Sequence, residues 1–238
     1  MKKTNKIIAI LATMSMLIVS IVMLSACGNQ PKTIEVGNYT QLVDAIVGDA
    51  DVIKLSSDIV IEDTLTIDRK VVLDMNGKKI SNTADIWNDE TNAWSLVSVR
   101  KNGDLTIKGD GKFAAKENDC YAVDVMDGGN LVIENGEFVG NVSAVYVYEG
   151  HADIKGGKYS IQQLNTNNVE SAYGATINLY NQNADENKAT ASITGGVFAN
   201  FNPTDKTQNA HDNLVAEGYV AELVEGTTAD YRIIKKAN

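Results

Sequence analysis

A short motif that recurs four times constrains the fold of this chain more than any other feature. Each copy has small or aliphatic residues in alternation, then a glycine turn, then one aromatic residue. The copies occupy residues 103–113, 129–138, 150–159 and 188–198. Self-similarity with a period of roughly 20 to 50 residues is typical of a solenoid. The closing aromatic residues follow one another at unequal steps of 25, 21 and 39 residues. The unequal steps predict coils that share a core and differ in their loops.

A second strand is predicted in the coils that carry the motif, at residues 96–100, 122–126, 144–148 and 176–180. Successive side chains of a strand point to opposite faces, so alternation assigns the inward positions. The inward residues are Val97, Val99, Val123, Val125, Val145, Val147, Ile177 and Leu179. The motif aromatics Phe113, Phe138, Tyr159 and Phe198 are predicted to form an inward ladder on another face. Strands of successive coils then pair in parallel about 4.8 Å apart.

Both ends of the repeat carry signals of a cap. Asn38 or Thr40 can begin a short amphipathic helix that Gly48 ends. Residues 219–224 and 231–234 read as a hairpin joined through Glu225 and Gly226. We therefore predict an all-β fold, a right-handed parallel β-helix of about five or six coils. Its predicted parts are a cap helix (34–50), the β-helix (51–200) and a C-terminal cap (201–238).

The N-terminus has the pattern of a secretory signal. Three lysines precede an uncharged, largely apolar run over residues 7–24, which ends in Leu-Ser-Ala-Cys at Cys27. This ending resembles the lipobox of bacterial lipoproteins, whose cysteine is acylated and becomes the mature N-terminus. The resemblance implies a lipid-anchored, extracytoplasmic protein of the bacterial cell envelope, with residues 1–27 as the signal peptide together with its lipobox and 28–33 as tether. The alternative is an uncleaved membrane anchor, because about 18 apolar residues can just span a bilayer.

The charge of the chain excludes one class of partner. The full sequence has 21 basic and 31 acidic residues. Three of the lysines lie in the leader, so the remaining chain has a net charge near −13. Such a chain repels polyphosphate, and we expect no nucleic acid among its partners. Cys120 is the one cysteine besides Cys27, and its neighbours predict a small, half-buried hydrophobic residue rather than a reactive thiol.

The segment from Tyr39 to Ile80 resembles the opening of pectate-lyase-like β-helix proteins of bacterial surfaces. The similarity is carried by the capping helix, by Leu-Thr-Ile at 65–67 and by Val-Leu-Asp-Met-Asn-Gly-Lys at 72–78. In enzymes of that fold the substrate groove lies on one sheet face between loops. The resemblance therefore implies the fold and a place to look for a ligand, and it covers most of residues 33–200.

The outward positions of the second strand predict a binding face. Loops at residues 81–93, 161–173 and 181–188 flank this strand. Rigid aromatic rings beside polar donors suit a sugar, whose C–H groups pack on a ring while its hydroxyls find partners. The alternative is a purely structural ladder, because tyrosine is favoured on any pleated surface. The candidate ligand-binding residues are Trp87, Trp94, Arg100 (as an anion hook), Asp124, Tyr146, Tyr148, Asn178 and Tyr180.

The sequence lacks the motifs that catalysis on this fold requires. A lyase needs a basic residue near calcium, whereas a hydrolase needs two or three carboxylates at acid–base spacing. Asp124 beside Arg100 is the one such pair on the predicted face, and His151 and His211 are far apart in sequence. No cofactor is predicted. Calcium is a further possibility at the loop acids Asp85, Asp89, Glu90, Asp185 and Glu186.

We therefore expect a lipid-anchored surface protein with a rigid, non-catalytic binding face. Its predicted partners are the membrane, through the lipid, and a polysaccharide or a surface protein. One alternative is a small polysaccharide lyase or glycoside hydrolase of the β-helix type, using Asp124 and Arg100. Another is a structural spacer or assembly subunit, in which the tyrosine column would pack against a second copy.

Overall fold

The chain folds as a parallel β-helix, which confirms the predicted fold class. The computed structural model describes residues 30–101, 103–116, 120–163, 175–180, 189–205 and 213–237. Residues Pro31–Asn238 belong to one compact unit. The leader, with Cys27, lies outside the described residues.

Three sheets form the walls of the helix, and each complete coil contributes one strand to each of them. Sheet A contains β1 (Thr33–Val36), β2 (Val52–Leu55), β5 (Lys70–Asp74), β8 (Asp104–Lys108), β11 (Gly129–Ile133), β14 (Gly150–Ile154) and β17 (Ala189–Ile193). Sheet B contains β3 (Ile59–Ile61), β6 (Lys78–Asn82), β9 (Gly111–Ala114), β12 (Glu137–Gly140), β15 (Lys158–Ile161), β18 (Val197–Phe198), β20 (Tyr231–Lys235) and β19 (Tyr219–Leu223). Sheet C contains β4 (Leu65–Ile67), β7 (Ser95–Val99), β10 (Tyr121–Val125), β13 (Val145–Val147) and β16 (Ile177–Leu179). Within the described residues the chain completes five coils from A to B to C.

Buried aliphatic residues set the register between coils. In sheet A, Ile107 pairs with Ile133, which pairs with Ile154, which pairs with Ile193. None of the four has any exposed surface. A slip of one residue would turn this row outward, so burial on one face specifies the register.

The predicted aromatic ladder lies inside the helix against sheet B. The rings of Phe113, Phe138, Tyr159 and Phe198 stack with centroid distances of 5.0, 5.2 and 4.9 Å and interplanar angles of 9° to 11°. Tyr159 satisfies its buried hydroxyl by donating to the Gly156 carbonyl oxygen at 2.6 Å. The turn before Tyr159 requires glycine, because Gly157 has a φ of +97° and a Cβ there would lie 2.8 Å from the Gly136 carbonyl.

The N-terminal cap is a strand followed by a helix. The predicted helix is α1 (Tyr39–Val47); the Asn38 side chain accepts from the Gln41 N–H at 3.0 Å, and Gly48 ends the helix. The cap region predicted at residues 34–50 also contains most of β1, which pairs with β2. Arg69 holds the end of α1, because its guanidinium donates to the carbonyl oxygens of Ala45, Ile46 and Ala50 at 2.7 to 2.8 Å.

The predicted C-terminal hairpin is present and closes sheet B. Strands β19 and β20 pair in antiparallel fashion, and β20 also pairs with β18, the last parallel strand of that sheet. The hairpin therefore covers the edge that the last coil would otherwise expose.

Candidate functional site

The outer face of sheet C carries the two columns that alternation predicted. In the first column Ser98 pairs with Asp124, Asp124 with Tyr146 and Tyr146 with Asn178. The residues of the second column directly follow the strands of sheet C. The backbone N–H of each donates a hydrogen bond of 2.8 to 2.9 Å to a carbonyl oxygen of the preceding coil, so these residues are also in register. The members of this column are Arg100, Met126, Tyr148 and Tyr180. The register of the face is therefore as predicted.

A loop covers part of this face, which the sequence did not predict. The loop comprises residues 83–94, called here the tryptophan loop because it holds both tryptophans of the chain. Trp87 stacks on Trp94 with a centroid distance of 5.9 Å and meets Tyr121 edge-on at 5.4 Å. Trp94 meets Tyr146 and Tyr148 edge-on, each at 6.3 Å. The loop thus packs its two indoles on the tyrosines of sheet C.

Six rings form one continuous group, named here the aromatic cluster. Its members are Trp87, Trp94, Tyr121, Tyr146, Tyr148 and Tyr180. The ring centroids of Tyr121 and Tyr146 are 4.7 Å apart. Tyr148 stacks on Tyr180 with a centroid distance of 4.5 Å and an interplanar angle of 25°. Tyr146 is buried at the centre, while the other five rings are half-buried. Five neighbouring rings therefore reach both the protein and the solvent.

Hydrogen bonds fix the geometry of the tryptophan loop. Asp89 accepts from both indole N–H groups, each at 3.0 Å. Asn88 and Ala93 exchange two backbone hydrogen bonds, of 2.7 and 2.9 Å, across the tip of the loop. Ile86 inserts into the core. The indoles are consequently held in position without a ligand.

Arg100 ties the tip of the loop to the sheet. Its guanidinium donates to the Thr91 carbonyl at 3.0 Å, to the Asn92 carbonyl, and through Nε to the Ser98 hydroxyl at 2.7 Å. Arg100 was predicted as an anion hook, but all three nitrogens already donate to neutral protein oxygens. These bonds use three of the five N–H groups of the guanidinium, and the role as an anion hook stays a prediction.

Asp124 belongs to the first column of this face and has no exposed surface. Its carboxylate accepts from the Ser98 hydroxyl and from the Ser95 hydroxyl, the latter at 2.8 Å. Burial raises the pKa of Asp124 to about 6, although the two serine hydrogen bonds and the Arg100 charge act in the opposite direction. Asp124 was predicted as a ligand contact; in this structure a ligand on the surface does not reach it.

Tyr121 and Ser95 belong to the site, but strict alternation would place both inside. Both residues face outward because the alternation breaks at the start of β7 and β10. Both Leu96 and Val97 lie in the core, as do Ala122 and Val123 one coil later. The residue before each pair therefore faces outward. In the sequence, the two consecutive apolar residues at 96–97 and at 122–123 could have indicated this break in alternation.

Asn178 is the remaining candidate ligand-binding residue, whereas Cys120 and His151 were not among the candidates. Asn178 is half-buried and donates to the Ser143 hydroxyl at 3.4 Å. Cys120 is buried, and burial raises the pKa of its thiol to about 12. His151 lies on sheet A rather than at the aromatic cluster. Its Nδ1 is 2.8 Å from the Thr190 hydroxyl, and its Nε2 is 3.2 Å from an Asp153 carboxylate oxygen.

The calcium prediction concerns loop acids. Within the described ranges, no three His, Cys, Asp or Glu residues come close enough to hold a metal ion together. Asp89 is engaged with the two indoles, and Asp85 accepts from the Trp87 backbone N–H at 3.1 Å. Asp185, Glu186 and His211 fall outside the described residues, as do residues 164–173 of the loop predicted at 161–173 and the whole loop predicted at 181–188.

Fold and site together define a parallel β-helix protein with an aromatic cluster on one sheet face. Comparison with protein-family models, curated proteins and solved structures finds no match to the chain. The similarity to pectate-lyase-like surface proteins therefore stays a prediction. In the part of the chain that the structure describes, no helix is long and apolar enough to cross a membrane.

Proposed function

We propose that this protein is a lipid-anchored bacterial surface protein whose aromatic cluster binds a glycan without chemical conversion. The observation that carries the proposal is the concentration of both tryptophans and four tyrosines on one face, with five rings half-buried. Contiguous apolar surface that remains partly accessible to solvent is typical of interaction sites. The lipobox at Cys27 supports a location outside the cytoplasm.

The rigidity of the cluster supports a binding role. Asp89 fixes both indoles, Arg100 fixes the loop tip, and Tyr148 and Tyr180 support each other by stacking. Side chains that are already ordered lose little entropy when a ligand arrives. Because Tyr148 and Tyr180 stack, each offers at most one ring face to a sugar, and their edges and hydroxyls provide the other contacts.

The charges around the cluster favour an uncharged glycan. The tryptophan loop contributes three exposed acids, Asp85, Asp89 and Glu90. Arg100 is already bonded to protein oxygens. A uronate polymer would meet repulsion from the loop acids, while three of the five N–H groups of the guanidinium are already used within the protein. These features also count against the lyase alternative, since Asp124 is buried and Arg100 is engaged.

A glycan array that carries neutral and uronate polysaccharides tests this proposal. We expect the purified protein to bind neutral glycans and Trp87→Ala to lose that binding, because the half-buried indole is one of the rings that would contact the sugar. Tyr231→Ala, which removes a ring from the hairpin, is the matched control and should bind as the wild type does. Binding to a surface protein alone, or glycan binding that Trp87→Ala leaves intact, would overturn the proposal.

A further inference from the structure

A column of alternating charges runs along the outer face of sheet A and has no part in the binding proposal. Its members lie on successive strands of that sheet or directly follow them, and each stands beside a charge of opposite sign on the next coil. The register aligns the first four, and backbone hydrogen bonds between coils keep Glu134 and Lys155 in line. All six residues are exposed or half-buried. This column, named here the charged stripe, consists of Glu35, Lys54, Asp74, Lys108, Glu134 and Lys155.

The charges of the stripe are only partly paired within the chain. Its first four members form two ion pairs, with nitrogen–oxygen distances of 2.8 and 3.9 Å. Glu134 and Lys155 are both exposed, and in the described part of the chain neither side chain makes a hydrogen bond or an ion pair. The charged stripe therefore ends in two unpaired charges of opposite sign.

The charged stripe is complementary to its own reverse, because its first and last members have opposite charge. A two-fold axis parallel to the strands, placed between β5 and β8, sets the stripe of one copy against the reversed stripe of another. Lys54 then faces Glu134 of the second copy, Lys155 faces Glu35, and the two central charges face each other. Each contact occurs twice, since a two-fold interface is isologous. No like charges meet, although each copy has a net charge of −10.

Half-buried β-branched residues lie beside the charged stripe on the same face. Neighbours in the register, they are Val52, Val72, Thr106 and Val132. The same axis places them against one another, with Val52 opposite Val132. On their other side Lys70, which lies 3.4 Å from Asp104 in its own chain, faces Asp104 of the second copy. An apolar centre with charges around it is the usual anatomy of a protein interface.

We propose that the outer face of sheet A pairs with the same face of a second copy to form a two-fold symmetric dimer, with the two charged stripes antiparallel. Six strands about 4.8 Å apart, each with five residues of about 3.3 Å, give a patch of roughly 500 Å² on each copy. This area lies at the lower end for specific interfaces, so the dimer is weak and its formation depends on concentration.

The position of the axis is compatible with an anchored protein. An axis parallel to the strands leaves the strand direction unchanged, so both β1 strands begin on the same side of the dimer. Two chains anchored by lipid at the N-terminus would then meet in one membrane. The dimer does not rest on the proposed function, because the aromatic cluster lies on sheet C and stays outside the interface.

Sedimentation equilibrium tests the dimer on the chain without residues 1–27, which retains the whole compact unit. The wild type should dimerise with a dissociation constant in the micromolar range. Lys54→Glu should weaken the dimer at least about tenfold, because carboxylates then oppose each other at both symmetry-related contacts. Lys54→Glu combined with Glu134→Lys should recover most of the affinity. The two positions are three strands, or roughly 14 Å, apart in one chain, so a direct contact within the chain does not explain this recovery.

Lys158→Glu is the matched control, because it makes the same change of charge at an exposed position of sheet B. This variant should dimerise as the wild type does. Three results would overturn the proposal: a wild type that stays monomeric at roughly 1 mM, equal dissociation constants for Lys54→Glu and Lys158→Glu, or a double variant that fails to recover. Glycan binding by a wild type that stays monomeric would overturn the dimer and leave the proposed function intact.

Discussion

At the scale of single residues, the burial of Asp124 is the least expected feature of this chain. A carboxylate on the outer face of a sheet is normally solvated, yet Asp124 is covered and lacks a direct ion pair among the described residues. Two serine hydroxyls and the more distant Arg100 offset only part of the loss of hydration. Ionised Asp124 therefore reduces the stability of the fold at neutral pH.

This reduction predicts a pH dependence of stability with a definite sign. The pKa of Asp124 rises from about 3.8 in the unfolded chain to about 6 in the folded one. A raised folded-state pKa contributes stability below pH 4 that is lost as the pH rises through 6. Asp124→Asn should therefore raise the free energy of unfolding at pH 7.5, by up to about 3 kcal/mol.

Urea unfolding of both proteins at pH 3.5 and pH 7.5 measures this effect. The difference between wild type and Asp124→Asn should be present at the higher pH and close to zero at the lower pH. A variant that is destabilised at pH 7.5 would show that the carboxylate stabilises the fold, which is the opposite of the expected sign.

At the scale of single elements, the aromatic ladder is the part of the core that the motif copies build. Phe138 stacks on both Phe113 and Tyr159 and has no exposed surface. Phe138→Ala should lower the free energy of unfolding by about 3–5 kcal/mol, because it leaves a cavity between two rings. Val60→Ala, at a side chain 48% exposed on the same sheet, should change it by less than about 0.5 kcal/mol. Chemical denaturation compares the two, and equal effects would contradict the ladder.

The N-terminal helix depends on one side chain from the next coil. Arg69 caps α1 by donating to three carbonyl oxygens near its end. Arg69→Met should cost about 1–3 kcal/mol, because those carbonyls lose charged donors. Lys70→Met removes the same charge from a side chain that is 83% exposed and should have almost no effect. Thermal unfolding of both variants distinguishes capping from a general charge effect.

Sequence reasoning reached these elements to different extents. Period-two alternation was sufficient for the inward valines and the ladder, because burial of one face dictates both. The same rule failed at Tyr121 and Ser95, where two consecutive residues enter the core. The packing of the tryptophan loop on sheet C was not predicted either. Residues 83–94 have no periodicity, and the contact between Trp87 and Tyr121 exists only once the coils are stacked.

At the scale of the whole molecule, five described coils and two caps form one compact unit with an aromatic cluster on the outer face of sheet C. The lipobox predicts that lipid at Cys27 holds this unit at the cell envelope. When the protein is produced in bacteria with an alkyne-bearing fatty acid, the wild type should be labelled and Cys27→Ser should not. Cys120→Ser is the matched control and should keep the label, because the Cys120 thiol is buried. A labelled Cys27→Ser variant would contradict the lipoprotein prediction.

The most direct test of the account is the affinity of the aromatic cluster for its glycan. Isothermal titration with the neutral polysaccharide selected on the array should show that Tyr148→Ala with Tyr180→Ala weakens binding by about tenfold or more, the loss expected for rings at the centre of a contact. Tyr231→Ala should retain the wild-type affinity. Undiminished affinity of the double variant would contradict the assignment of this face as the binding site.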